Sequence, residues 1–194
     1  METEGRKYVD IIYEIEFFSN WHCGSGLAAG ADVDALVIKD KNGLPYVPGR
    51  TMKGLLRDAS SALCENKESI NTIFGVTGDE DGHKTGCSFF GNATLSHAEY
   101  QYIVEQGLAP HLYQTFASTR IDENGIAKDN TLRKIETVVP CKLEGEILNI
   151  PDGAENILEE AMHFIKRMGT GRNRGYGRCK VAISKIIRKE EKEA

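Results

Sequence analysis

The sequence contains no apolar run that approaches the roughly 20 consecutive residues of a membrane-spanning helix. Its first residues, Met1 to Lys7, are polar and lack the apolar core of a secretory signal peptide. These absences argue against a membrane protein and against a secreted one. We therefore expect a cytoplasmic protein that has no membrane partner.

Cysteine is scarce and shows no ligand spacing. The chain has five cysteines, an odd number, and they are widely separated with no Cys-x-x-Cys pair. This pattern argues against a disulfide scaffold and against a zinc knuckle. An acidic loop with Asp79, Glu80, Asp81 and His83 lacks the residue order of a calcium-binding loop, so we interpret it as solvated. A Gly-Lys-Ser/Thr phosphate loop is also absent.

Acidic residues exceed basic ones, and the formal net charge of −5 is mildly unfavourable for a nucleic-acid partner. The charge is segregated, however. From Lys166 to Lys180 the chain has six basic residues and no acidic one. Because a local basic stripe can bind phosphates while acids elsewhere set the total, nucleic acid stays open as a partner.

Hydrophobic periodicity predicts alternating strands and helices. Residues 8–18 alternate between apolar and polar, as in a half-buried strand, and apolar residues from Met52 to Leu63 have helical spacing after Pro48-Gly49. The further predicted elements are a strand over 87–96, a hairpin over 116–138 with a type I′ turn at Asn124-Gly125, a strand over 136–150, a second helix with Asp152 as N-cap and Glu155 completing a capping box, and a final strand near Cys179–Ile183.

Without the additional segments this order is β-α-β-β-α-β, the ferredoxin-like arrangement of RRM proteins. We predict a single α+β domain over residues 1–194, with an insertion at about 98–135 that includes the hairpin. Both helices would cover one face of a four-stranded antiparallel sheet. RRM proteins bind single-stranded RNA on the other face, although a fold alone does not establish that use.

Residues 169–178, Gly-Thr-Gly-Arg-Asn-Arg-Gly-Tyr-Gly-Arg, combine four glycines with three arginines. Glycine lets a backbone approach a phosphate closely, arginine makes bidentate phosphate contacts, and tyrosine can stack on a base. The loop follows a helix and precedes a strand, which is the reverse of a dinucleotide-binding loop. A flexible connection is the alternative interpretation. The predicted RNA-binding residues of this glycine loop are Gly169, Gly171, Arg172, Arg174, Gly175, Tyr176 and Gly177.

Three segments resemble the RAMP superfamily, the repeat-associated CRISPR proteins. The first is Trp21-His22-Cys23-Gly24-Ser25-Gly26, and the third is the glycine loop. The second and most specific is Ala-Asp-Val-Asp-Ala-Leu-Val-Ile-Lys-Asp at 31–40, which leads into Gly-Leu-Pro-Tyr-Val-Pro-Gly-Arg-Thr-Met-Lys-Gly-Leu-Leu-Arg at 43–57. Within the superfamily the chain looks most like the repeated backbone subunit of type III effector complexes.

The resemblance implies that copies stack into a filament along a guide RNA, together with other effector subunits. It implies that residues 116–138 are a thumb-like hairpin that interrupts the duplex of guide and target RNA. It also implies that Asp34 supports cleavage of the target RNA with a weakly bound divalent cation, Mg²⁺ or another, and that His22 helps to bind the guide. The remaining predicted RNA-binding residues are Arg50, Lys53, Arg57, Arg120 and Arg133.

Several alternatives stay open. Asp32 competes with Asp34 for the catalytic role, and a loop aspartate is more commonly solvated or part of a turn. A structural RAMP subunit would hold RNA and cut nothing. A guide-processing endoribonuclease usually needs a histidine-based acid–base site and two ferredoxin-like domains, whereas this chain has the length of one.

Overall fold

A computed structural model describes residues 8–27, 33–76, 84–128 and 131–189. The helices are α1 (Gly49–Leu63), α2 (Lys67–Phe74), α3 (His97–Glu105) and α4 (Glu155–Phe164), and short 3-10 turns cover Ala109–Leu112 and Arg172–Arg174. The strands are β1 (Tyr8–Phe17), β2 (Gly75–Val76), β3 (Lys84–Thr85), β4 (Phe89–Phe90), β5 (Tyr113–Ser118), β6 (Arg133–Val138), β7 (Lys142–Pro151) and β8 (Cys179–Lys189). Within these ranges, no helix has the length and apolar character needed to cross a membrane.

Four strands form the main sheet in the order β4-β7-β1-β8, and each neighbouring pair is antiparallel. β1 lies between β7 and β8 in the interior of this sheet. Its alternate residues Ile11, Tyr13 and Ile15 are fully buried, as the period-two pattern predicts. β2 pairs with β3, and β5 pairs with β6, in two smaller antiparallel sheets. The prediction of a mixed α+β chain with antiparallel sheets is confirmed.

The core lies between the main sheet and helices α1 and α4, which pack against each other. Apolar residues at three- and four-residue spacing put one side of each helix into this core. The fully buried examples are Met52, Leu56, Leu158 and Met162. On the other face of the sheet, Glu14 of β1 and Glu144 of β7 lie directly opposite each other, and Glu146 follows along β7.

The predicted strand over 87–96 is much shorter than expected, since β4 covers only Phe89–Phe90. Asn92 interrupts it, because its Oδ1 accepts the N–H of Gly49 at the start of α1, at 2.9 Å. Pairing resumes as an isolated bridge between Ala93 and Val47. Residues 97–105, for which the hydrophobic pattern predicted no element, form α3, with the Ser96 side chain as its N-cap.

The predicted single strand over 136–150 is two strands. β6 ends at Val138 and β7 begins at Lys142. Pro140 lies between them and has no N–H to donate to a strand ladder, which accounts for the break. The consequence is that β6 belongs to the hairpin sheet while β7 belongs to the main sheet.

The predicted capping box at the start of α4 is wrong. Ala154 is the N-cap residue, and no side chain caps this end. Asp152 instead pairs with Arg188 of β8, which also pairs with Glu155 at 3.1 Å. Glu155 accepts the N–H of Gly153 at 2.6 Å. The ion pairs with Arg188 explain the difference, because they occupy the two carboxylates that the capping box would use.

β5 and β6 form the predicted hairpin, with Tyr113 paired to Val138 at its base and Ser118 paired to Arg133 further out. Most side chains of β5 are exposed. The turn is not type I′, because Gly125 has a positive φ of 80° whereas Asn124 does not. Instead the Asp122 carboxylate accepts the N–H groups of Asn124 and Ile126, both at 2.9 Å.

Candidate nucleic-acid interface

The segment that carries Asp34 lies alongside β6. Ala35 forms a parallel bridge with Ile135. The N–H of Glu136 donates to the carbonyl oxygen of Ala35 at 3.0 Å. Because a strand of the hairpin is its direct neighbour, the segment holds Asp34 in a fixed position relative to the hairpin.

Asp34 is exposed, but one of its carboxylate oxygens is already used. Oδ2 accepts the N–H of Lys134 at 2.7 Å, and the N–H of Asp34 donates to the carbonyl oxygen of Lys134 at 2.9 Å. Within the described ranges, no group of three or more His, Cys, Asp or Glu side chains could hold a metal ion. Asp34 can therefore supply one carboxylate oxygen to a cation, which suits Mg²⁺ because Mg²⁺ usually keeps waters and binds substrate phosphates.

Other acidic candidates lie outside the described residues. Asp32 does so, and so does the acidic loop with Asp79, Glu80, Asp81 and His83.

His22 is buried next to the same segment. Its Nδ1 donates to the carbonyl oxygen of Glu136 at 2.7 Å, since a carbonyl oxygen can only accept. The carbonyl oxygen of His22 accepts the N–H of Thr170 in the glycine loop at 2.9 Å. His22 thus links the hairpin to the glycine loop, and its role as a direct RNA contact stays a prediction.

Two of the four predicted glycines close the base of the glycine loop. Gly169 and Gly177 have φ values of 86° and 67°, and a Cβ on them would overlap the carbonyl oxygens of His22 and Met168, respectively. The N–H of Gly177 donates to the carbonyl oxygen of Asn20 at 2.8 Å. At these two positions glycine is required for close packing between backbone segments.

Gly171 and Gly175 flank the turn Arg172–Arg174, and both have left-handed backbone conformations. The turn is exposed, and Arg172 and Arg174 point away from the core. The positive φ values at both ends, 74° and 89°, favour glycine because other residues are strained there. The glycines therefore let a short exposed turn present two arginines.

An aromatic contact joins the glycine loop to the hairpin. The rings of Tyr176 and Phe116 meet edge to face, with centroids 5.8 Å apart. On its other side Tyr176 packs over Gly171, where a Cβ would meet the ring at 2.7 Å. Tyr176 is thus held between the loop and β5, a position that fixes the separation of these two elements.

The cleft between the hairpin and the glycine loop is strongly basic. It has a volume of about 560 Å³, and its lining residues are Ser118, Thr119, Arg120, Thr131, Arg133 and Arg174. Among the described residues, three arginines and three hydroxyl groups line it, and none of the lining side chains is acidic. In the described part of the chain, none of the three guanidinium groups forms an ion pair. Such a cleft matches a polyanion, because arginine donors and hydroxyl groups suit phosphate oxygens. We call it the arginine cleft.

Asp34 lies beside this arginine cleft. The amide that its carboxylate accepts belongs to Lys134, the residue directly after Arg133. The structure therefore brings Arg120, Arg133 and Arg174 into one cleft and holds Asp34 against β6, one residue along the strand from Arg133.

The predicted basic residues of α1 lie on other surfaces. The Nζ of Lys53 is 6.0 Å from the centre of the Phe90 ring. Arg57 lines a different depression, near the junction of α1 and α2, and makes a contact of its own. Arg50 is exposed in the first turn of α1.

A family model described as the RAMP superfamily matches residues 14–180. The chain belongs to the RAMP superfamily. The match spans the segment of Asp34, the hairpin and the glycine loop, and it confirms the resemblance that the sequence motifs indicated. A search of curated proteins found no match.

Solved structures share the fold of this RAMP protein. A chain of the type III-B Cmr-beta complex bound to cognate target RNA, solved by cryo-electron microscopy, superposes with a TM-score of 0.70 at 11% identity, covering 90% of this chain and 96% of that one. A chain of the apo state of type III-B Cmr-beta gives a TM-score of 0.69 at 12% identity, covering 91% and 97%. At these identities the superpositions establish a common fold.

Sequence reasoning missed several residues of this RAMP protein's interface. Phe116, Ser118, Thr119 and Thr131 contribute to the arginine cleft or its walls, and Glu136 anchors the segment of Asp34. The sequence pattern that these residues share is the alternation of side chains along the two hairpin strands. This pattern predicts that the strands exist, but it does not indicate which face of the hairpin contacts the glycine loop. That information depends on a contact across about 60 residues of chain, between Phe116 and Tyr176.

The open face of the main sheet carries several acidic side chains. Glu14 and Glu144 face each other across adjacent strands, and Glu146 lies alongside. Among the described residues, none of these three carboxylates has an ion-pair partner. Lys142 and Lys180 lie opposite Glu16 on the same face, so this face carries charges of both signs, whereas the described lining of the arginine cleft carries only positive charges.

Proposed function

We propose that this RAMP protein is a guide-RNA-binding backbone subunit of a type III CRISPR ribonucleoprotein, and that it cuts bound target RNA. The observation that carries the proposal is the arginine cleft with the Asp34 carboxylate beside it. Cationic groups that position a phosphodiester and an adjacent carboxylate are the parts that metal-assisted RNA cleavage needs. The fold shared with chains of type III-B Cmr-beta, one of them in a complex bound to target RNA, supports the same assignment.

The proposal includes a ferredoxin-like architecture for one domain that covers the chain. The strand order β4-β7-β1-β8, together with α1 after β1 and α4 after β7, supports it. The hairpin of β5 and β6 is hydrogen-bonded apart from the main sheet and has an exposed arm, which supports its role as the thumb. The segment 98–135 would then be the insertion that carries it.

In the proposed RNA path, Arg120, Arg133 and Arg174 bind successive or neighbouring phosphates. The hydroxyl groups of the cleft add neutral hydrogen bonds to phosphate or ribose oxygens. The predicted contacts Arg50, Lys53 and Arg57 of α1 would extend binding over a second surface, and Arg172 would extend the cleft. Copies arranged along the guide RNA, with other effector subunits, would repeat this path.

In the proposed cleavage, Asp34 uses Oδ1, because Oδ2 accepts the amide hydrogen of Lys134. A divalent cation held weakly by this oxygen and by the RNA would stabilise the negative charge that develops as a 2′-hydroxyl attacks the adjacent phosphate. The hydroxyl would lose its proton to solvent and the bond from phosphorus to the 5′ oxygen would break, which leaves a 2′,3′-cyclic phosphate and a protonated 5′-hydroxyl. Asp34 contributes by its position next to Arg133, which holds the phosphodiester. The Lys134 amide keeps the carboxylate oriented, so that its free oxygen points to one place.

A structural subunit that cuts nothing is the second candidate. The observation in its favour is the hydrogen bond from Lys134 to Asp34, because an aspartate that joins a loop to the hairpin has a structural reason to be there. The two candidates differ in what they require of Asp34. Cleavage requires its charge, whereas the structural role requires only an acceptor oxygen.

Asparagine at position 34 separates these requirements. Asp34→Asn keeps a side-chain oxygen that can accept the Lys134 amide and removes the negative charge, whereas Asp34→Ala removes both. In an assembled complex with guide RNA, we expect Asp34→Asn to bind target RNA like the wild type and to lose most of its cutting. EDTA should stop the wild-type reaction. If Asp34→Asn cuts at the wild-type rate, Asp34 is not the residue that supports cleavage. If a complete wild-type complex never cuts, the structural subunit is the correct account.

A further inference from the structure

Glu136 is a carboxylate with little exposure, 12% of its side chain, on the strand of the hairpin that faces Asp34. Its Oε2 accepts the N–H of Val37 at 3.0 Å, and its Oε1 pairs with Nζ of Lys39 at 2.8 Å. Its backbone carbonyl accepts Nδ1 of His22 at 2.7 Å. Its side chain therefore contacts the segment of Asp34 at two points, in addition to the backbone bond to Ala35, and its carbonyl group contacts the buried histidine.

The charge pair is itself held in place by β5. Nζ of Lys39 lies 3.9 Å from the centre of the Tyr113 ring. The hydroxyl group of Tyr113 donates to the carbonyl oxygen of Gly43 at 2.6 Å. Burial, and then the nearby Glu136 carboxylate, raise the pKa of Tyr113 above its usual value, so the phenol stays a neutral donor. Both arms of the hairpin thus contribute to this contact.

A shielded carboxylate is costly to keep unless its hydrogen bonds are satisfied. Glu136 meets this condition through a backbone N–H and an ammonium group of the same segment. Removal of its carboxylate would leave the N–H of Val37 without its acceptor and Lys39 without its partner. The links that remain from the segment to β6 would be the two hydrogen bonds between Asp34 and Lys134 and the backbone bond from the N–H of Glu136 to the carbonyl oxygen of Ala35.

We propose that Glu136 is a positioning residue, which fixes the Asp34 carboxylate relative to the hairpin and thereby sets the rate of RNA cutting. The inference rests on the proposed function for its effect on rate. Glu136 touches neither the arginine cleft lining nor the reacting atoms, so it acts through Asp34. A displacement of about 1 Å at a reacting group can lower a rate by up to about a hundredfold.

The test compares Glu136→Ala and Glu136→Gln with a control, Glu16→Ala. Glu16 pairs with a lysine, Lys142, at 3.8 Å on the open sheet face, away from the hairpin. The first measurement is hydrogen exchange of the peptide that contains residues 33–39 in the full chain. We expect faster exchange there in Glu136→Ala, a smaller change in Glu136→Gln, and no change in the control.

The second measurement is single-turnover cutting and target binding in the assembled complex. We expect Glu136→Ala to cut about ten- to a hundredfold more slowly, to bind target with unchanged affinity, and to need more Mg²⁺ for half-maximal rate. The double variant Asp34→Asn, Glu136→Ala should cut no more slowly than Asp34→Asn alone. Such non-additivity is the signature of two residues that act as one unit, whereas a general structural defect would add its own loss.

The outcomes separate this inference from the proposed function. Wild-type rate and wild-type exchange in Glu136→Ala overturn the inference and leave the proposed function standing. If the wild type does not cut, the proposed cleavage fails, and the exchange measurement alone decides whether Glu136 anchors the segment. If Glu136→Ala does not fold, the test uses Glu136→Gln instead. The inference is overturned if Glu136→Gln cuts RNA at the wild-type rate and exchanges hydrogen at residues 33–39 as fast as the wild type.

Discussion

The three arginines of the arginine cleft should control how RNA binding depends on salt. The perturbation is the triple variant Arg120→Gln, Arg133→Gln, Arg174→Gln. These side chains line one cleft and form no ion pairs in the described part of the chain, so their loss should disturb RNA contacts more than the fold. Glutamine keeps hydrogen-bonding capacity and much of the length of the side chain but removes the charge.

The expected magnitude follows from counterion release. Each phosphate neutralised on a single strand contributes about 0.7 to the slope of log affinity against log salt concentration. Three phosphates therefore contribute a slope of about 2. Between 50 and 200 mM salt, a fourfold change, the wild type should lose roughly 20-fold more affinity than the triple variant loses.

Binding of a labelled guide RNA, measured by fluorescence anisotropy at several salt concentrations, gives both slopes. The control is the triple variant Lys142→Gln, Lys180→Gln, Lys185→Gln, which removes three positive charges from β7 and β8. It should leave the slope nearly unchanged if the phosphates lie in the arginine cleft. An equal fall in slope for both variants would refute the reasoning, since it would mean that only total charge matters.

Two further predictions concern stability. Gly177→Ala should destabilise the protein more than Gly175→Ala, as measured by urea unfolding. Both positions have a positive φ, which costs a residue with a side chain about 1–2 kcal/mol, but only at Gly177 would the Cβ also overlap a backbone carbonyl oxygen. Equal losses of unfolding free energy would contradict the account. The loss of unfolding free energy caused by Asp40→Asn should become smaller as the pH falls below 3.8. Burial alone would raise the pKa of Asp40, but hydrogen bonds from Tyr100 and from two backbone N–H groups outweigh burial and lower the pKa. Because the folded-state pKa is lowered, the carboxylate stabilises the fold fully above pH 3.8, and this stabilisation is lost as the pH falls through the folded-state pKa. A difference in unfolding free energy between wild type and Asp40→Asn that stays constant down to low pH would contradict this prediction.

Local patterns predicted the elements whose burial is periodic. β1 and α1 were located almost to the residue, because their apolar side chains face one continuous core. The break at Pro140 was missed because the apolar pattern runs through it, although a proline interrupts a ladder. The prediction that Asp152 caps α4 was wrong because Arg188, from the last strand, binds its carboxylate.

The site shows a similar division. Asp34 and the arginines could be singled out by motif, but their meeting depends on the pairing of β5 with β6 and on the ring contact of Phe116 with Tyr176. Glu136 could not be predicted, since an acidic residue in a polar hairpin arm is ordinarily solvated. Its shielded position depends on Lys39, 97 residues away in the chain.

The most direct test of the central claim is to locate the RNA on the protein. Ultraviolet cross-linking of an assembled complex that contains guide RNA, followed by mass spectrometry of the cross-linked peptides, reports the contact surface. Cross-links in peptides that span residues 116–133 and 169–178 are the predicted result, because these segments line the arginine cleft. Cross-links confined to residues 12–16 and 142–148, on the acidic face of the main sheet, would contradict the proposed RNA path.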